Sequence, residues 1–376
     1  MKNKKAQLTL DSFLNIKNKR RQFFYLDFNT NDRIPLPIWC HSKPKVITWS
    51  KVVKWKEMGD IIVCANNPYI KTDNTNDIIT KINSDKEEYN NKLISFLKSH
   101  LQKSIRRQQT KSAIHSALKL IIINKEEFVR RLSIIVFEDV ELKEYYPTLI
   151  WLISAFSKGF EMNDKILELL LSFVIDICNH NHYDDISDYI NENDNFDMKK
   201  IYDSIETSSI EEKNKNMLYS ILFRVSYGGM FCDIEMLKGY TDVWYQRFQK
   251  GLKASKIFIP ENYLNLCDYN YLLKNPLSEN EYVKEGIDFH CFPFILNELL
   301  KITNDKYSKE DIQLCIWEYN SKINTRKDNT VNNEKLELIW NDIKTTLHNQ
   351  QAHILSDMIL HLNEIYSIES KTLINN

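Results

Sequence analysis

Apolar positions along this chain fall into three regimes. In NNKLISFLKSHLQKSIRRQQ, residues 90–109, Leu93, Ile94, Leu97, Leu101 and Ile105 recur at steps of three and four. That spacing puts them on one face of a helix. The same pattern predicts helices over 110–124, 125–139, 146–158 and 163–179, and a second set over 216–227, 230–251, 261–274, 292–303, 308–323 and 333–368. Consecutive amphipathic helices joined by short loops must bury their stripes on one another, so the expected fold class is mostly α, a multi-helix bundle with a collar-like body. The stretch 23–75 reads differently, with β-formers interrupted by Pro35, Pro37 and Pro44, and predicts short strands or extended segments. Residues 71–90 are polar, and 184–215 are acidic and Asn-rich. The expected organisation is therefore a flexible tail over 1–22, an extended or β-containing arm and linker over 23–90, a helical collar-like domain over 91–183, an acidic surface excursion over 184–215 and a second helical domain over 216–376. No fixed-period repeat points to a solenoid.

Composition agrees with long helices, since only seven glycines and eight prolines punctuate 376 residues. Apolar residues at 43% and charged residues at 27% are an ordinary globular balance. The net charge of −1 excludes a bulk polycation, so a nucleic-acid surface must be a local patch. Seven scattered cysteines (Cys40, Cys64, Cys178, Cys232, Cys267, Cys291, Cys315) without a C-x-x-C pair predict reduced thiols. With no apolar leader and no uncharged apolar run of about 18 residues, the chain reads as soluble and intracellular, with no membrane contact.

Ahead of the arm lies QLTLDSFL, Gln7 to Leu14. Its order is Gln-x-x-aliphatic-x-x-aromatic-aliphatic. A short 3₁₀ turn after Leu10 would gather Leu10, Phe13 and Leu14 into a three-pronged apolar plug, with the Gln7 amide capping a backbone group beside it. Lys4, Lys5, Lys17, Lys19, Arg20 and Arg21 flank the motif and would steer it toward an acidic surface. The segment resembles the PCNA-interacting peptide, by which replication and repair proteins dock on the sliding clamp; its last place is Leu14 where a second aromatic is usual. The resemblance implies a PCNA-type clamp as partner, with Gln7, Leu10, Phe13 and Leu14 binding it. The other reading is an N-terminal helix packed on its own body. The cluster Lys17, Lys19, Arg20 and Arg21 also fits nuclear import or phosphate contact.

A second informative stretch runs from Lys103-Ser104-Ile105-Arg106, through a helix with Ala113 and Ala117, to Phe128-Val129-Arg130-Arg131-Leu132 and Glu138-Asp139-Val140. This order, Lys103 to Leu142, is similar to the C-terminal helical region of the RarA/MgsA clamp-loader-related ATPases. It departs at Phe137 and Glu141, where that family has Ser and Gly, and no G-x-x-x-x-G-K-(S/T) loop accompanies it. The resemblance implies a helical collar used for assembly. From the residues themselves, Arg130 and Arg131 near Glu138 and Asp139 predict a structural charge network fixing a helix crossing.

For metal chemistry, Cys178, His180 and His182 with Asp184 and Asp185 following offer donors at close spacing, to which His290-Cys291 or Cys40-His41 could add across space, and the run Asp184, Asp185, Asp188, Glu192 and Asp194 could hold Mg²⁺ although such runs are usually exposed loops. Gly228-Gly229 near Arg224 and Lys238 could cradle a phosphate, and Tyr227, Tyr240, Trp244, Tyr245 and Phe248 could stack bases, although such an aromatic stripe is more often core. No hydrolase elbow, zincin or kinase signature occurs. The expected function is a non-catalytic accessory factor of DNA replication or repair, acting in the nucleus or at another intracellular site of replication and without a cofactor or bound metal. Lys17, Lys19, Arg20, Arg21, Arg106 and Arg107 would approach DNA, and DNA and a second copy of the chain are further candidate partners. The alternatives are a metal-dependent nuclease or other DNA-processing enzyme, and a structural interaction module with no DNA role.

Overall fold

The computed structural model describes residues 20–29, 34–67, 87–186 and 196–374. The arm is a four-stranded sheet of β1 (Phe23–Asp27), β2 (Ile38–Cys40), β3 (Trp49–Trp55) and β4 (Gly59–Asn66), in the order β2-β1-β4-β3. β1 pairs antiparallel with β2 and parallel with β4, and β3 pairs antiparallel with β4. Alternation along the strands sends Phe24, Leu26, Trp39, Val53, Trp55, Ile61, Val63 and Ala65 to one face, all within the core.

The body is helical, as the periodicity predicts: α1 (Glu87–Arg106), α2 (Thr110–Asp139), α3 (Tyr146–Phe156), α4 (Asp164–Asn179), α5 (Met198–Thr207), α6 (Glu212–Ser226), α7 (Phe231–Gln249), α8 (Tyr269–Lys274), α9 (Phe294–Ile302), α10 (Lys309–Ile316) and α11 (Glu334–Ile374). The expected helices over 110–124 and 125–139 join into α2 across a kink at Asn124, whose φ of −157° and ψ of 89° break the helix. The Asn124 side chain accepts the Glu127 N–H and restarts it. Every side chain of α3, YPTLIWLISAF, is buried, which places this helix at the centre of the body.

The sheet is bolted to that centre by tryptophans. Trp151 Nε1 on α3 donates to the carbonyls of Phe24, at 3.1 Å, and Cys64, at 3.2 Å. Trp39 stacks on Phe24 with ring centroids 4.1 Å apart and donates to Ser220 on α6. The acidic stretch contributes more than an excursion: Asp197 caps α5 by accepting the Lys199 and Lys200 N–H groups, and Met198, Tyr202 and Ile205 are buried against the arm and α6. Among the described residues one apolar core joins the sheet, α1–α7 and α11. Arg326 shows the join most clearly. Its guanidinium donates to the carbonyls of Ile105, Ile177 and Cys178 at 2.8 Å and of His180 at 2.5 Å, capping the C-terminal turns of α1 and α4 at once.

Candidate functional site

The last turn of α1 carries Lys103-Ser104-Ile105-Arg106, and all four point inward. Arg106 Nε donates to Asp139 Oδ1 at 2.6 Å, Nη2 to Glu138 Oε1 at 2.8 Å and Nη1 to the Ser321 carbonyl at 2.8 Å. One turn back, Gln102 Nε2 donates to Glu138 at 2.9 Å and to Asp139 at 2.7 Å, while its oxygen accepts from Arg131. Burial alone would raise the Glu138 carboxyl, but Arg106 and Arg131 outweigh it and hold Glu138 below its ordinary value. Lys103 Nζ lies 3.2 Å from Asp288 Oδ2, and Asp288 also accepts from Ser321 and lies 2.6 Å from His290 Nδ1. Here too burial pushes the carboxyl up, yet His290 and Lys103 keep it far below the usual range. The sequence places Arg130 and Arg131 in this network; Arg131 joins it, 3.8 Å from Glu138, whereas Arg130 turns to the Tyr227 ring. The principal cation is Arg106.

These pairings relocate the expected DNA-approach residues. Arg106 is buried under its carboxylates, and a phosphate would have to displace both of them. Arg107 Nη2 donates to the Asn320 carbonyl at 2.8 Å, with Glu285 at 3.8 Å from its Nε. Arg21 is likewise enclosed, pairing with Glu206 at 3.1 Å and Glu212 at 2.7 Å and donating to the Trp39 carbonyl. Burial opposes its charge, but these hydrogen bonds prevail and raise its pKa. Arg20 donates to the Met58 carbonyl at 3.3 Å. Gln7, Leu10, Phe13, Leu14, Lys17 and Lys19 lie outside the described residues.

The candidate metal ligands do not converge. Cys178 is buried with Sγ toward the Ser104 carbonyl, and burial pushes its thiol up to about 11. His180 lies 2.6 Å from Glu141, with its other ring nitrogen 3.1 Å from Lys143. His182 is 3.8 Å from Glu141, and Asp184 forms a two-point pair with Arg247 at 2.6 and 2.9 Å. Asp188, Glu192 and Asp194 are outside the described residues. Among the described residues no group of three or more His, Cys, Asp and Glu is arranged to hold a metal ion. Gly228 and Gly229 have φ of +87° and +148°, but Arg224 is engaged by the Gly228 carbonyl at 2.7 Å and by Ser133, and Lys238 by Glu235. Tyr240, Trp244 and Phe248 belong to the core.

Beside the network opens a cleft of about 400 Å³. Phe137, Ile186, Met236 and Tyr240 give it an apolar floor, and Tyr183, Trp317, Lys322 and Lys327 stand on its walls. The Arg106 guanidinium lies 5.6 Å from the Trp317 ring centroid, and Lys327 Nζ lies 3.6 Å from that of Tyr183. No protein-family model, curated protein or solved structure matches this chain. The geometry therefore has to speak for itself. Sequence reading missed Asp288, Gln102, Arg326 and the cleft, because their partners lie up to 221 positions away along the chain. The one available signal was NTRKDNT, residues 324–330, whose Asn, Asp and Thr side chains form the turns that present Arg326 and Lys327.

Proposed function

We propose that the protein is a non-catalytic accessory factor of DNA replication or repair that docks on a PCNA-type sliding clamp through Gln7, Leu10, Phe13 and Leu14. The observation that carries this reading is the spacing of those four residues between two basic clusters. The body, in this reading, is a scaffold for assembly with a second copy or for contact with DNA, working in the nucleus or wherever replication takes place. The engagement of Arg106, Lys103, Glu138, Asp139 and Asp288 with one another suits a scaffold better than a reaction centre, which needs a base or nucleophile free to reach its substrate.

Calorimetric titration of purified PCNA with the full chain tests the docking. The expected outcome is saturable binding that the double variant Leu10→Ala, Phe13→Ala abolishes while the helical circular dichroism stays unchanged. Equal heats from the two proteins would remove the clamp from this account.

A further inference from the structure

The cleft beside Arg106 is not needed for clamp docking, and its walls carry a chemistry of their own. Lys327 is the informative side chain. Its ammonium rests on the face of Tyr183, and no carboxylate among the described residues comes within ion-pair distance of it. The carboxylates nearby are committed elsewhere: Glu138 to Arg106 and Gln102, Asp139 to Arg106, and Asp328 to the Thr330 turn. Asp185, on the rim, is exposed. Lys322 adds a second cation, paired with Glu318 on the same helical turn. Burial lowers the Lys327 pKa, with Arg106 nearby adding to it, and the more distant Asp139, Asp185 and Glu138 offset this only in part.

Trp317 supplies the complementary feature. Trp317 is 36% exposed and lines the cleft, with Arg106 5.6 Å from its ring centroid, so an aromatic ring that is only partly covered stands at the cavity. A volume of about 400 Å³ falls within the usual range for small-ligand sites, and an apolar floor flanked by ring faces and lysines selects a flat body carrying an anion. A fatty acid would use the floor but not the rings, and a simple anion the lysines but not the floor.

We propose that this cleft binds one nucleotide unit, its base against Trp317 and the apolar floor and its phosphate between Lys327 and Lys322. The unit can come from a free nucleoside 5′-monophosphate or from an unpaired residue of a single strand. Duplex DNA is excluded, because its bases are stacked and offer no free face. The site is independent of the clamp motif and goes beyond it.

The test is isothermal titration of the full chain with AMP, adenosine, inorganic phosphate, a 5′-phosphorylated tetrathymidylate and a self-complementary duplex. AMP or the tetranucleotide should bind, with adenosine and phosphate each at least about tenfold weaker, since neither fragment uses both halves of the site. Tighter binding of AMP identifies the free nucleotide as the source, and tighter binding of the oligonucleotide identifies the strand. Lys327→Gln should weaken binding about tenfold and Trp317→Leu by a similar factor, the usual loss on removing one stacked ring. Lys327 makes no ion pair with the described residues, so Lys327→Gln should unfold at the wild-type denaturant concentration, which keeps the test independent of folding. Leu10→Ala, Phe13→Ala should bind nucleotide as the wild type does, whatever becomes of clamp docking. Absence of binding by both AMP and the oligonucleotide, equal binding by Lys327→Gln, or preference for the duplex would overturn the assignment.

Discussion

Removing Arg106 should cost far more than the Arg106 pairs contribute. The side chains of Arg106 and Asp139 are 4% and 1% exposed, and their closest atoms are 2.6 Å apart. Two unit charges about 4 Å apart attract by about 4 kcal/mol at an effective dielectric constant of about 20. Desolvation costs several kcal/mol for each buried ion and nearly cancels that gain in the intact network. In Arg106→Leu the cancellation fails. Asp139 stays buried with only Gln102 as a side-chain donor, Glu138 keeps Gln102 and the distant Arg131, and the Ser321 carbonyl loses its donor. The expected loss is about 3–5 kcal/mol, the range for a buried charge stripped of its partner. The triple variant Arg106→Leu, Glu138→Gln, Asp139→Asn removes the stranded charges and should recover most of it. Urea unfolding followed by circular dichroism measures both. The pH dependence has a definite sign. In the wild type the depressed Glu138 pKa contributes stability that is present above its unfolded value of about 4.3 and is lost as pH falls through the folded value. In Arg106→Leu the buried carboxyls rise above their unfolded values, so the penalty is full at pH 7 and shrinks on acidification. The gap between variant and wild type should therefore narrow from pH 7 to pH 5. An Arg106→Leu midpoint within about 0.5 kcal/mol of wild type at pH 7 would refute the network as described, as would a gap that widens in acid.

Two further predictions rest on the neighbouring packing of α1. Burial, with Lys119 and Arg107 close by, pushes His100 down to about 3, and its ring is fixed as the neutral form by Ser116 Oγ at 2.6 Å and by the Val283 N–H, which it accepts at 2.8 Å. A histidine whose folded pKa is depressed contributes stability that is present above its unfolded value of about 6.5 and lost as pH falls toward the folded one. Unfolding free energy should thus fall between pH 6 and pH 4 by up to about 1.4 kcal/mol per pH unit more in the wild type than in His100→Gln, and parallel curves for the two would contradict the buried neutral ring. Gly286 faces the same histidine so closely that an added Cβ would stand 2.8 Å from His100 Cδ2 and 2.9 Å from its Cα. Gly286→Ala should cost about 1–3 kcal/mol in urea unfolding, because the backbone of α1 cannot retreat, and an unchanged midpoint would show that the two segments do not meet this tightly.

What the sequence discloses about this fold depends on whether a residue's partners are near it along the chain. The stripe Leu93, Leu97, Leu101, Ile105 is local, and α1 buries all four. The π turn at Trp317–Ser321 ends the helix expected over 308–323, and its Ser321 carbonyl accepts from Arg106 more than 200 residues away, a partner that periodicity does not contain. α5 was legible in principle, since Met198, Tyr202 and Ile205 keep helical spacing behind the Asp197 cap, but the acidic Asn-rich surroundings mask ten residues of pattern. The charge network shows the same division. Arg131 and Glu138 are two turns apart on one helix, about 10 Å of rise, and their long side chains still reach 3.8 Å. Arg106 comes from the neighbouring helix and reaches both carboxylates directly, a relation that spacing within α2 does not contain.

The four residues Lys103 to Arg106 are therefore best understood through the segment that answers them. Lys103 meets Asp288, Arg106 meets Ser321, the Ile105 carbonyl meets Arg326, and the Arg106 carbonyl meets the Thr325 N–H. Asn324 then closes the circuit by donating to the Asp139 carbonyl. Residues 288–326 thus supply a lock shaped to the end of α1, and the charges of the motif are consumed in holding it. Next to this lock, Lys327 follows Arg326 directly in sequence but, among the described residues, rests on the Tyr183 ring. A charged side chain engaged inside the fold stabilises a crossing, and one at a cavity with no carboxylate of the described residues at ion-pair distance is placed to receive a ligand. Arg326 and Lys327, adjacent in the chain, divide these two tasks between them.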